Sequence, residues 1–132
     1  MKMNRANETV LYFTPLNNEK TIKLKGVLVQ MGIRIKNISP EQVMEPIGSL
    51  LGITGVEKKA SGEEFPVVTE EMLVMHNFSG NRLDALLLNL RKAGVQKINL
   101  KAVVTESNIT WTFYQLYEEI KKEHETMEKN DR

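Results

Sequence analysis

Twice along the 132-residue chain the same succession of patterns appears: a short run of β-formers, an amphipathic stretch stopped by glycine, a second alternating run and a second helical pattern. This order constrains the fold more than any single motif. Residues 10–13 are an apolar β-forming run closed by Thr14-Pro15. Residues 19–31 then place Leu24, Val27, Leu28 and Met31 at helical spacing, with Asn17 or Asn18 as a cap and Gly32 as the stop. Gly26 lies inside that helix, where it costs about 1 kcal/mol relative to Ala or else admits a close neighbour. Residues 33–38 alternate as a strand with one buried face, and Ser39-Pro40-Glu41-Gln42 supplies a cap, a first-position proline and a third-position Gln for a new helix. Glu45-Pro46 interrupts that helix, which resumes through residues 47–51 before Gly52 and Gly55.

The second half repeats the order. Residues 72–75 form a strand, Ser79 caps a helix with Phe78 and Leu83 at staple spacing, and Leu83, Leu86, Leu87 and Leu90 make its apolar stripe up to Gly94. Residues 98–104 alternate, with Ile98, Leu100, Ala102 and Val104 on one face and Asn99, Lys101 and Thr105 on the other. Thr105, Ser107, Asn108 and Thr110 then suit a turn and a helix cap ahead of Trp111. A last helix carries Phe113, Leu116, Tyr117, Ile120, His124 and Met127 on one face. Strand–helix–strand crossovers are right-handed and lay their strands parallel. The expectation is therefore an α/β fold in which two βαβα units, residues 8–55 and 71–127, form one small, largely parallel four-stranded sheet with helices packed on it. A polar loop over 57–66 joins them within a single domain, 1–132.

Composition narrows the functional classes. Lys and Arg number 18 against 17 Asp and Glu, so no field of one sign gathers nucleic acid or an anionic membrane. The absence of cysteine removes disulfides, thiolate chemistry and cysteine metal sites, and fits the cytoplasm. Nowhere does an apolar run approach the ~20 residues of a membrane span. Two histidines without partners at ligand spacing argue against a metal, and no phosphate loop, dinucleotide fingerprint or nucleophile elbow is present, so neither a cofactor nor a catalytic residue is assigned. A short sheet with little apolar surface beyond its helices predicts a monomer or a weak homodimer.

In parallel α/β sheets ligands bind beyond the carboxyl ends of the strands. Four polar turns are expected to meet there: Thr14-Pro15, Ser39, His76-Asn77 and residues 105–108. Helix N-termini beside them would offer amides to an anion. The candidate ligand-binding residues are His76, Asn77, Lys101, Thr105, Asn108 and Trp111. Four of them have a purely structural alternative: Thr105 and Asn108 as caps, Lys101 as a snorkelling or paired cation, Trp111 as a core anchor. The leading expectation is a non-enzymatic interaction or small-ligand-binding module for an unknown small molecule or protein. One alternative is a small enzyme or anion or nucleotide binder at the strand ends. Another is a cysteine-free, thioredoxin-like adaptor suggested by Phe65-Pro66-Val67-Val68, which requires an antiparallel hairpin.

Leu100-Lys101-Ala102-Val103-Val104-Thr105, with Asn108, Trp111, Leu116, Glu119 and Glu123-His124 after a Leu-rich helix, resembles a bacterial family known as domain of unknown function 3783. The resemblance spans about residues 71–125 and implies a bacterial protein. It implies no activity, since the family has no assigned catalytic or binding residues.

Overall fold

A computed structural model describes residues 8–15, 19–53, 55–56 and 64–130, with side chains as far as residue 127. Asn17 and Asn18 as helix caps, and most of the polar loop over 57–66, lie outside the described residues. The elements in order are β1 (Thr9–Phe13), α1 (Glu19–Gln30), β2 (Arg34–Asn37), a single 3₁₀ turn (Pro40–Gln42), α2 (Ile47–Leu50), β3 (Met72–His76), α3 (Gly80–Lys92), β4 (Leu100–Val103) and α4 (Phe113–Asn130). Most boundaries follow local chemistry. The Ser79 hydroxyl accepts from the Arg82 amide at 3.2 Å to open α3. The left-handed backbone that only glycine adopts without strain ends α1 at Gly32 (φ 71°) and α3 at Gly94 (φ 81°).

The four strands form one mixed sheet in the order β2-β1-β3-β4. β1 and β2 are parallel, as are β3 and β4, but β1 and β3 run antiparallel, with Thr9 opposite His76 and Phe13 opposite Met72. The expected largely parallel sheet is thus corrected to a mixed one. The physical reason is that a strand–helix–strand crossover fixes direction only within its own pair. The long connection between β2 and β3 leaves the relative direction of the pairs open, and the central strands β1 and β3, buried along nearly their whole length, read the same in sequence either way. Because α3 joins β3 to β4 in parallel, the described residues contain no antiparallel hairpin after Pro66, which counts against the thioredoxin-like alternative.

Alternation divides the core between the two faces. Leu11, Phe13, Met72, Val74, Leu100 and Ala102 face α2 and α4, meeting Ile47, Leu50, Phe113 and Tyr117. Val10, Tyr12, Leu73 and Met75 face α1 and α3, meeting Leu24, Leu28, Leu86 and Leu90. Gly26 has nothing within 4 Å of where a Cβ would stand, so no close neighbour explains it.

Candidate functional site

The turn after β4 is held by side chains bonding to backbone. Asn108 Oδ1 accepts from the Thr105 amide at 2.8 Å, Thr105 Oγ1 accepts from the Asn108 amide at 3.1 Å, and Asn108 Nδ2 donates to the Val103 carbonyl at 3.1 Å. Seven residues later the exchange recurs: Gln115 Oε1 accepts from the Thr112 amide at 2.8 Å and Thr112 Oγ1 accepts from the Gln115 amide at 3.0 Å. Thr112 rather than Thr110 therefore opens α4, in a reciprocal arrangement that satisfies two amides the helix leaves unpaired.

This turn is pinned to the segment after β2. The Phe113 and Tyr114 amides donate to the Glu45 and Val43 carbonyls, and the Ile47 and Gly48 amides donate to those of Trp111 and Ile109, at 2.8–3.0 Å. Gly48 fits only because it lacks a Cβ, which would stand 2.7 Å from Val56 Cγ2. Trp111 is half-buried against the cluster under α4. Thr105, Asn108 and Trp111 thus carry structural roles.

The strand directions separate the other candidates. His76 ends β3 and Asn77 follows it in left-handed backbone (φ 68°), close to Thr105 and Asn108, since the Val104 amide donates to the Met75 carbonyl. Thr14-Pro15 and Ser39 follow β1 and β2 at the opposite end, so the four polar turns do not converge. Burial lowers the His76 pKa below its ordinary value. Lys101 lies in register with Leu73, itself opposite Tyr12, toward the other end of the sheet and on the face of α1 and α3. At ~3.3 Å per residue it stands roughly 13 Å along the chain from Thr105. Trp111 belongs to the opposite face.

Lys101 does lie in a cleft. Between the C-terminal half of α3, residues 95–98 and β4 is a cavity of about 330 Å3 with an apolar floor of Leu87, Leu90, Val95 and Ile98 and with Arg91, Lys97 and Lys101 in its lining. The Lys101 ammonium donates to the Ile98 carbonyl. Burial first, then the charges of Lys97 and Lys20, lower its pKa. A second cavity of about 230 Å3 lies at the carboxyl ends of β1 and β2, lined by Tyr12, Thr14, Thr21, Lys25 and Asn37 among others. It opens where the connections leave β1 and β2 for opposite faces of the sheet, the arrangement that places ligands in open α/β sheets.

The sequence reading missed the ion pairs, two of which tie the sheet to its helices. Arg82 donates twice to the buried Glu8 carboxylate, at 2.7 and 2.8 Å, and to the Met31 carbonyl at 2.8 Å, joining β1, α1 and α3. The bond to Glu8 is the main cause that raises the Arg82 pKa. A cation in the first turn of a helix is disfavoured by the macrodipole, and that misplacement was the available signal. Glu71 accepts from Tyr12 at 2.6 Å and from Lys20. Burial, followed by that hydrogen bond, raises the Tyr12 pKa to about 12.

Among the described residues no group of three or more His, Asp and Glu could hold a metal ion, and no helix is long and apolar enough to cross a membrane. No curated protein and no solved structure matches the chain. The model of a family described as Domain of unknown function (DUF3783) does match residues 71–127, from the start of β3 into α4, so the part of the chain that holds the Lys101 cleft and the turn after β4 resembles that family.

Proposed function

We propose that this protein is a non-enzymatic small-ligand-binding module of the bacterial cytoplasm, and that its ligand sits in the cleft between α3 and β4. The observation that carries this reading is the combination at one place of an apolar floor and convergent polar heads, the usual make-up of small-molecule sites, in a cavity at the lower end of their ~300–1,000 Å3 range. Support also comes from the turn after β4, where Thr105, Asn108 and Thr112 spend their hydrogen bonds on backbone, the work of turn and cap residues. We read the two halves as a structural repeat, each a parallel strand pair spanned by a helix on the same face of the sheet, in which the cleft belongs to the second.

A fragment screen on the isotope-labelled chain tests the reading. Hits are expected to shift the methyls of Leu90, Val95 and Ile98 and to lose those shifts in Leu87→Trp, which fills the cleft from a half-buried position in its lining. Hits that leave these methyls unmoved would refute it. The cavity at the ends of β1 and β2 supports a second reading, an anion or nucleotide binder at strand ends, and hits there would move Tyr12, Thr21 and Asn37 instead.

A further inference from the structure

We infer that the α3–β4 cleft takes a small oxyanion on an apolar body, a carboxylate or phosphate monoester, with Arg91, Lys97 and Lys101 receiving the charge and Leu87, Leu90, Val95 and Ile98 the body. The inference deepens the ligand-binding reading above and rests on it. A cavity of about 330 Å3 lies at the lower end of the ~300–1,000 Å3 range of small-molecule sites. The ligand is therefore a small one, such as a carboxylic acid or a phosphate monoester.

The charge follows from what surrounds that space. Every charged residue in the lining is a cation. Lys20 lies close enough to act on Lys101. The Lys23 ammonium stands 3.7 Å from the place a Cβ would take on Gly94, at the same end of α3. In a chain whose charges nearly balance, such a gathering is a local choice of sign. The nearby carboxylate of Glu71 is engaged by Tyr12 and Lys20. Like charges at short range repel, and partial burial removes the water that would screen them. An anion reverses both effects, a neutral ligand leaves them in place and a cation worsens them.

The C-terminal end of α3 opposes an anion with the negative pole of its dipole. Its last carbonyls are already occupied, however: Asn89 accepts from Ala93, Leu90 from Val95 and Arg91 from Gly94, at 3.0 Å each. Arg91 and Lys92 in the last turn offset the remainder.

The test is a titration of the labelled full-length chain with three probes that share one ring: cyclohexanecarboxylate, cyclohexyl phosphate and cyclohexylmethanol. The expected result is that at least one anion shifts the Leu90, Val95 and Ile98 methyls with an affinity roughly tenfold above that of the alcohol. That preference should shrink in about 0.5 M salt, where screening acts over only a few ångströms. It should fall again in Lys97→Gln and in Arg91→Gln, both exposed positions where folding is undisturbed. If the alcohol binds as tightly as both anions, the oxyanion inference is overturned while the cleft survives as a ligand site. If none of the three moves those methyls, both are overturned.

Discussion

Asn108 shows how much one buried amide can hold. It accepts from the Thr105 amide and donates to the Val103 carbonyl, so Asn108→Ala strands a backbone donor and an acceptor together. The expected loss is about 2 kcal/mol, read as a lower midpoint in urea with an unchanged slope. Trp111→Ala should cost less than the ~3–5 kcal/mol of a fully buried ring, because this one is half-exposed. His76 gives the pH dependence. Its folded pKa lies below its unfolded value of ~6.5, so the unfolded chain binds the proton more readily and stability falls as pH drops through that value. Thermal midpoints from about pH 5 to pH 7 should rise less steeply in His76→Gln than in the parent chain. At this scale the sequence was half legible. Thr105 and Asn108 stood out as residues that bond to backbone, but a cap and a ligand site use the same groups. Thr112 was overlooked because Thr110, two residues earlier, satisfies the same composition rule, and only the position of Gln115 three residues on distinguishes them.

Helices and strands were the readable units. The stops and 3.6-residue stripes of α1 and α3 and the Ser79 cap of α3 are local facts, and the structure meets them within a residue or two. Ser39-Pro40-Glu41-Gln42 was read as the opening of a helix and yields only a 3₁₀ turn, since Pro46 cuts the segment short before an α-helical ladder can establish itself. Its Gln42 Oε1 still accepts from the Ser39 amide and hydroxyl, each at 2.9 Å, so the local chemistry survives the change of helix type. Two glycines predict opposite outcomes. Gly26 is exposed, helical and free of neighbours, so Gly26→Ala should stabilise by about 1 kcal/mol. Gly48→Ala should destabilise by roughly 1–3 kcal/mol, because the new methyl meets Val56 and overpacks the joint between α2 and residues 109–111. Thermal unfolding of the two single variants, run side by side, checks both signs.

Across the whole molecule, fold class was legible and strand direction was not. The alternation of strands with helices requires an α/β architecture, whereas the sense of β1 against β3 depends on the connection after β2 and on contacts such as Glu8–Arg82, between residues 74 positions apart. That ion pair should behave as a rivet. Arg82→Met takes the guanidinium away from a buried carboxylate and from the Met31 carbonyl, and the expected loss is roughly 3 kcal/mol, the low end for breaking a buried pair because Arg82 keeps about a third of its side chain in water. Equilibrium unfolding in denaturant measures it. The ladder between residues 43–48 and 109–114 has a wider consequence for what counts as a unit of this protein. A peptide of residues 71–127, the stretch that resembles other sequences, would lose the β1 partner of its strand β3 and the carbonyls that receive the first two amides of α4. Made alone, it should show little helical circular dichroism and narrow amide dispersion, and it should gain both when residues 1–56 are supplied as a separate chain. On that outcome kinship and cooperativity have different boundaries: the stretch that resembles a known family is shorter than the unit that folds.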